Sequence, residues 1–246
     1  MVSALIRIFA AAVLILPLAS SCAEEQPSTS PADTETPASA PEEEPPLAYI
    51  SLGDSLAVGV GASDPDERGY SPLYRDLLEG ETGREVRLTQ LGVSGETSAS
   101  FINGPNPQLT RAESALAENP GALVTLSLGA NDLLSSTDED REETLSRYSR
   151  NLDYILRALK GASDPAPRIT VLALYNPAPG SFTDVWAGRL NDEIRATARE
   201  NGASVAAGDR AFEGKEAEYA HYARNPQDIH PTDAGYEALA QAFAKA

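Results

Sequence analysis

Five short apolar runs, rich in β-branched residues, alternate with longer segments of helical period along residues 47–246. A strand followed by a helix, repeated along a chain, favours a parallel sheet with helices on both faces. The sequence therefore predicts an α/β fold, a three-layer α/β/α sandwich with a five-stranded parallel sheet and right-handed crossovers. The predicted strands are Leu47 to Leu52, Val86 to Val93, Ala122 to Leu128, Ile169 to Tyr175 and Ala203 to Ala207.

Four helices are predicted between these strands, and a fifth after the last strand. Pro72 suits the first turn of a helix, and Thr232 is a residue type that caps helix N-termini. The predicted helices lie near residues 71–79, 108–118, 139–160, 182–201 and 232–245.

Small and polar residues follow three of the predicted strands directly. They are Gly53 to Ser55, Ser94 to Gly95, and Gly129 to Asp132. Ligands of open α/β sheets bind outside the carboxyl ends of the strands. We therefore expect the functional residues to lie together at this edge of the sheet.

Ser55 stands in a Gly53-Asp54-Ser55 turn at the end of the first predicted strand. A serine hydroxyl at that place is exposed at the rim of the sheet, where a helix N-terminus favours developing negative charge. A serine that only caps a helix would occupy the same position in the sequence. The turn alone leaves a nucleophilic serine and a capping serine as alternatives.

Four short blocks resemble, in order and at suitable intervals, those of the SGNH (GDSL-type) hydrolase family. Each block alone recurs by chance, but four in order are specific, and the resemblance covers essentially all of residues 47–246. It implies a flavodoxin-like SGNH hydrolase domain and a serine esterase or lysophospholipase-type enzyme that forms an acyl-serine intermediate. The blocks are Gly53-Asp54-Ser55-Leu56, Gly92-Val93-Ser94-Gly95, Gly129-Ala130-Asn131-Asp132 and His230-Pro231.

The resemblance also implies a role for each matching residue. The nucleophile falls on Ser55 and the general base on His230, while the oxyanion hole falls on the backbone amides of Ser55 and Gly95 and the side chain of Asn131. Removing one oxyanion donor typically costs about 100- to 1000-fold in rate. Gly95 has no side chain to obstruct a close approach of substrate.

The chain has two histidines, so the candidates for a general base are few. His230 precedes a proline and the last predicted helix, as the family's catalytic histidine does, whereas no motif surrounds His221. We therefore expect His221 to be structural or solvent-exposed. Two histidines and one cysteine make a zinc site improbable, and no dinucleotide or phosphate-loop fingerprint occurs. No cofactor and no metal are expected.

The acid that should orient His230 departs from the family pattern. The family places an aspartate three residues before the histidine, but that position is Gln227, and Asp228 lies two residues before His230. Three alternatives remain: a shifted loop lets Asp228 serve, another group such as a backbone carbonyl orients the imidazole, or Ser55 and His230 act as a dyad. Gln90 is a second departure, because related sequences commonly carry an asparagine there.

Residues 1–21 have the pattern of a signal peptide. Arg7 is followed by an apolar run from Ile8 to Leu18, which is too short to span a bilayer, and small residues then precede Cys22. This ending resembles a bacterial lipoprotein box, although an ordinary signal peptide with a chance cysteine is the alternative. We expect lipidation of Cys22 and an extracytoplasmic protein anchored to a bacterial membrane, at the cell surface or in the periplasm. A single cysteine excludes an intramolecular disulfide.

Residues 22–46 are predicted to form a disordered linker behind that cysteine. They contain six prolines, seven acidic residues and no basic residue, so they cannot bury enough apolar surface to offset chain entropy. The whole chain has a formal net charge of −18, which argues against nucleic acid as a partner.

Three functions remain open on the sequence alone. The first is hydrolysis of a small-molecule, lipid or carbohydrate ester by a monomer. The alternatives are a non-catalytic, surface-anchored binding protein on the same scaffold and a sugar O-acyltransferase with the same site. We expect the substrate pocket to be shaped by loops near residues 56–70, 97–107 and 177–186.

Overall fold

The computed structural model describes residues 44–180 and 183–246. The predicted signal peptide, Cys22 and linker residues up to 43 lie outside the described residues, so those predictions stay predictions. Linker residues 44–46 are described, and Arg84 pairs with Glu44 and donates to the carbonyl of Pro45. No helix within the described ranges is long and apolar enough to cross a lipid bilayer.

The sheet has five parallel strands in the order β2-β1-β3-β4-β5. This is the flavodoxin-like order. In such sheets ligands bind between β1 and β3, where the order in which successive strands are added to the sheet reverses. The predicted fold class is confirmed. The strands are β1 (Leu47–Gly53), β2 (Val86–Gln90), β3 (Leu123–Ser127), β4 (Arg168–Ala173) and β5 (Ser204–Ala207).

Eleven α-helices are found among the described residues, and several of them are single turns beside the strand ends. They are α1 (Ser55–Val58), α2 (Pro65–Arg68), α3 (Tyr70–Thr82), α4 (Ser98–Asn103), α5 (Gln108–Glu118), α6 (Ala130–Leu134), α7 (Arg141–Gly161), α8 (Thr183–Glu200), α9 (Gly208–Phe212), α10 (Glu216–Tyr219) and α11 (Asp233–Ala244). A 3₁₀ turn follows at His221–Ala223.

The long helices form two layers. Right-handed crossovers place α3, which joins β1 to β2, on the face opposite α5, α7 and α8, which lie on connections running the other way. Helix α11 packs against α3, where the rings of Tyr70 and Phe243 stack at 4.9 Å between centroids. On the other face, the buried hydroxyl of Tyr148 in α7 donates to the carbonyl of Leu128 at 2.9 Å.

Gly53 closes β1 at a point where the backbones of β1 and β3 nearly touch. Its φ is +127°, and a Cβ built there would lie 1.9 Å from the carbonyl oxygen of Ser127. A glycine is therefore required by both conformation and space. The chain can then turn sharply into α1 at the carboxyl edge of the sheet.

Two predicted strands run two or more residues too far at their C-termini, and six short helices were not predicted: α1, α2, α4, α6, α9 and α10. β2 ends at Gln90 rather than Val93, although the amides of Leu91 and Val93 still donate to the carbonyls of β1. β4 ends at Ala173 rather than Tyr175. The predicted loop near residues 97–107 contains α4, which begins after the N-cap residue Thr97. A helix of six residues is too short to show a helical period.

Candidate active site

Ser55 is the first residue of α1 and lies half-buried at the carboxyl edge of the sheet. The side chain of Asp54, not that of Ser55, caps the helix, accepting a hydrogen bond from the amide of Leu56 at 3.0 Å. Of the two sequence alternatives, the capping role therefore belongs to the preceding aspartate. The hydroxyl of Ser55 remains available to other partners.

His230 faces Ser55 across the edge of the sheet. Its Nε2 lies 3.0 Å from the Oγ of Ser55, which is hydrogen-bonding distance between residues 175 positions apart in the sequence. An antiparallel bridge between Ala220 and Pro231 holds this loop, and the amide of His221 donates to the carbonyl of His230 at 3.0 Å. The backbone of the loop thus fixes where the imidazole lies.

His221 links the segment beside His230 to the loop that follows α1. It is half-buried, and its Nε2 lies 2.9 Å from the carbonyl oxygen of Gly61. The expectation of a structural His221 agrees with these contacts.

Asp228 lies beside the other ring nitrogen of His230. Its Oδ1 is 2.8 Å from Nδ1 of His230 and also accepts a hydrogen bond from the His230 amide at 3.1 Å. Burial raises the pKa of the Asp228 carboxyl, but the bonds from His230 outweigh it and bring the pKa below its ordinary value. Gln227 is exposed. The geometry is that of the shifted loop, the first of the three alternatives.

Gly95 and Asn131 line the same cavity as Ser55 and His230. Asn131 uses one N–H of its amide to hold the carbonyl of Glu96 at 2.9 Å, and an amide nitrogen carries a second N–H. Gly95 has a φ of +81°, and a Cβ built there would meet no atom within 4 Å. The left-handed backbone conformation therefore favours a glycine here, and no neighbouring atom of the protein crowds this position.

A cavity of about 590 Å³ opens beside these residues. Its wall is largely apolar, with Leu133 and Leu134 from α6, Ala187 and Leu190 from α8, and Leu174 after β4. The predicted loops near residues 56–70 and 97–107 contribute only Leu56, so that expectation is wrong. The loop near 177–186 does contribute, through Pro177, Ala178 and Thr183.

A family model of GDSL-like lipases and acylhydrolases matches residues 51–238. The chain belongs to the GDSL-like lipase/acylhydrolase family. It is 29% identical over 208 residues to the spore germination lipase LipC of Bacillus licheniformis, covering 79% of this chain and 93% of the relative. Membership makes the protein a carboxylic ester hydrolase, as its sequence blocks predicted.

Solved structures agree with the family assignment. The lipase Lip_vut3 from a goat rumen metagenome superposes with a TM-score of 0.68 at 26% identity, over 81% of this chain and 96% of that chain. Axe2, an acetylxylan esterase from Geobacillus stearothermophilus, superposes with a TM-score of 0.63 at 18% identity, over 81% and 93% of the two chains. The second likeness shows a shared fold.

Two contacts at this GDSL-family site could not be read from the sequence. The hydroxyl of Tyr175 donates to the carbonyl of Ile229 at 2.7 Å, next to His230. Gln90, the second departure from the family pattern, donates from Nε2 to the carbonyl of Ala57 at 2.5 Å and so ties β2 to α1. Each joins segments far apart in the sequence, which no local pattern reveals.

Asp54 is the most deeply buried carboxylate beside Ser55, with 1% of its surface exposed. Its Oδ1 accepts from the Leu56 amide and from the hydroxyl of Ser127 at 3.2 Å, while its Oδ2 is buried without a hydrogen-bond partner. Burial raises the pKa of the Asp54 carboxyl from 3.8 to about 7. A buried carboxyl oxygen that no donor faces gives little stabilisation to a negative charge, so the neutral, protonated form of Asp54 is favoured.

This buried carboxyl should make the free energy of unfolding depend on pH. Between pH about 4 and about 7 the folded chain keeps a proton on Asp54 that the unfolded chain releases, so stability falls as pH rises. In Asp54→Asn we expect that fall to be shallower, by up to about 1.4 kcal/mol per pH unit. Urea unfolding of both proteins at several pH values measures the difference. Parallel stability profiles would contradict the assigned protonation.

Proposed function

We propose that the protein is a serine esterase with Ser55 as nucleophile, His230 as general base and Asp228 as the residue that orients His230. The observation that carries the proposal is the continuous chain of contacts from Ser55 Oγ to His230 Nε2 at 3.0 Å and from His230 Nδ1 to Asp228 at 2.8 Å. A nucleophile within hydrogen-bond reach of a base, itself oriented by a third group, is the arrangement that acyl transfer needs.

The reaction proceeds in two halves. The Oγ of Ser55 attacks the ester carbonyl carbon while its proton passes to Nε2 of His230, and the resulting oxyanion is stabilised by N–H groups of Ser55, Gly95 and Asn131. His230 then donates the proton to the departing alkoxide, leaving an acyl-Ser55 ester. A water then attacks that ester while His230 takes its proton, and His230 returns the proton to the departing Oγ of Ser55, which releases the carboxylic acid and restores the free serine.

Replacing the nucleophile tests the proposal directly. We expect purified wild-type protein to react with a fluorophosphonate probe and to hydrolyse short nitrophenyl esters, and Ser55→Ala to do neither, because the attacking oxygen is gone. Gel fluorescence and release of nitrophenol measure the two activities.

Two outcomes would point elsewhere. Wild-type protein that neither labels nor turns over would favour the non-catalytic binding protein. If Ser55-dependent turnover yields an acylated sugar whenever a sugar acceptor is present, the chain is an O-acyltransferase with the same residues.

The negative charge of Asp228 should contribute more to kcat than the presence of a hydrogen-bonding side chain at this position. Asp228→Asn keeps a side chain of the same shape but removes the negative charge that stabilises the imidazolium, and it favours the wrong imidazole tautomer. We expect kcat to fall by up to about 10⁴-fold, as measured with a nitrophenyl ester. Gln227→Ala is the control, since Gln227 is exposed and touches neither ring nitrogen. A loss of only a few-fold in Asp228→Asn removes Asp228 from the triad and favours a dyad.

We also propose that the substrate carries an apolar acyl chain, as in a lipid or lysophospholipid-like ester. The support is the cavity wall, which leucines of α6 and α8 share with Ser55. Burial of apolar surface favours binding by roughly 25 cal/mol per Å². An acetyl group would leave most of about 590 Å³ unfilled. LipC and Lip_vut3, whose names describe lipases, are consistent with this choice.

A series of nitrophenyl esters should therefore show rising kcat/KM from acetate to medium-length chains. Ala187→Phe places a ring in the cavity wall, so we expect it to lower kcat/KM for the longer chains by about tenfold or more. The acetate ester is the internal control and should be little affected. A profile that falls steeply beyond acetate would instead favour a deacetylase of carbohydrates.

We propose finally that the protein works outside the cytoplasm as a lipid-anchored enzyme. The supporting pattern is the apolar run of residues 8–18, the small residues before Cys22 and the proline-rich acidic segment behind it. Mass spectrometry of the mature N-terminus distinguishes acylated Cys22 from an ordinary signal-peptide cleavage.

A further inference from the structure

Gln108, the first residue of α5, is fully buried and binds the backbone of β1 at two points. Its Oε1 accepts the amide of Gly53 at 2.6 Å, and its Nε2 donates to the carbonyl of Gly53 at 2.9 Å. A carboxamide can bind the N–H and the C=O of one residue together because it carries a donor and an acceptor side by side. Gln108 thus fixes the residue that lies two positions before Ser55.

The same side chain reaches the segment that carries Gly95. Nε2 of Gln108 also donates to Oε2 of Glu96 at 3.0 Å, and Glu96 is 6% exposed. The other carboxylate oxygen of Glu96 accepts the hydroxyl of Ser100, and its backbone carbonyl accepts the side chain of Asn131. One buried amide therefore joins the turn before Ser55 to both other proposed oxyanion donors.

We propose that Gln108 is a positioning residue that holds the Ser55 turn in register with the oxyanion donors at Gly95 and Asn131. It is not among the residues that line the cavity, so it acts through Gly53 and Glu96 and not on the substrate. Electrostatic stabilisation of an oxyanion needs donors within about 0.5 Å of their ideal positions. The inference rests on the proposed function, because it assumes that Ser55 reacts.

Only a carboxamide side chain at position 108 can serve both the backbone of Gly53 and the carboxylate of Glu96. A leucine at position 108 would leave the Gly53 amide and a Glu96 oxygen buried without partners, at a cost of about 1–3 kcal/mol for each group. A glutamate would offer no donor to Gly53 or Glu96 and would place two carboxylates together. A glutamine buried in this way also stabilises the fold, so a positioning role is seen only as a change of kcat between folded variants.

The experiment compares Gln108→Leu with Tyr49→Phe, a stability control. Tyr49 is buried in β1, and its hydroxyl lies 2.9 Å from Thr125 Oγ1, away from Ser55. At a temperature where both variants are folded by circular dichroism, we expect Gln108→Leu to lower kcat for a short nitrophenyl ester by about 10- to 100-fold with KM unchanged. Tyr49→Phe should lose stability and keep kcat.

A second pair of variants decides the matter should Gln108→Leu fail to fold. Glu96→Leu removes the contact with Gln108 but leaves the two hydrogen bonds between Gln108 and Gly53. In Glu96→Gln the side-chain carbonyl oxygen can still accept a hydrogen bond from Gln108. We expect a lower kcat in Glu96→Leu that Glu96→Gln largely restores. Equal kcat in Glu96→Leu and wild type would overturn the proposal.

The serine-esterase function and the positioning role of Gln108 are contradicted by different results. If wild-type Ser55 does not react with a fluorophosphonate, the proposed function is wrong. If wild type reacts but folded Gln108→Leu keeps its kcat, only the positioning role is wrong.

Discussion

The backbone of Gly53 is the point on which the site depends. Its carbonyl accepts the amide of Val93, and the next amide in the chain, that of Asp54, donates to the carbonyl of Ser127. Gln108 binds both the N–H and the C=O of Gly53 from a third direction. Each contact comes from a different part of the carboxyl edge: the segment after β2, the end of β3 and the start of α5. Because a glycine is the only residue that fits there, the turn into Ser55 is held without strain.

The other half of the site is brought in from the far end of the chain. His230 arrives through a loop whose backbone pairs with the segment at Ala220 and His221 and whose carbonyl at Ile229 is held by Tyr175. The loop itself contributes only backbone atoms to these contacts, with Tyr175 supplying its hydroxyl from outside, so they set the position of the loop independently of the loop's own side chains. That is why an aspartate one position away from the family pattern can still reach His230: the loop, rather than the spacing, presents the carboxylate.

Burial sets both the protonation of a carboxyl beside Ser55 and the apolar character of the neighbouring cavity. Asp54 is buried beside Ser55 with one oxygen unpaired, and the raised pKa that follows keeps it largely neutral below about pH 7. The cavity next to it is walled by leucines of α6 and α8. An apolar cavity thus lies beside the polar residues at the carboxyl edge of the sheet. Such a site can take an apolar group of an ester out of water while polar groups face the carbonyl oxygen on which negative charge develops.

The sequence by itself determined the α/β class, the five strands, the long helices, and the blocks that contain Ser55, Gly95, Asn131 and His230. These features are local, since a strand, a helical period or a short motif is written in neighbouring residues. Only the tertiary structure decided that Asp228 lies against His230, that α6 and α8 form the cavity wall, and that Gln108 joins Gly53 to Glu96. Each of those contacts spans a loop or a long sequence separation, and loop geometry and side-chain pairing follow from the packing of the whole domain, which no local pattern encodes.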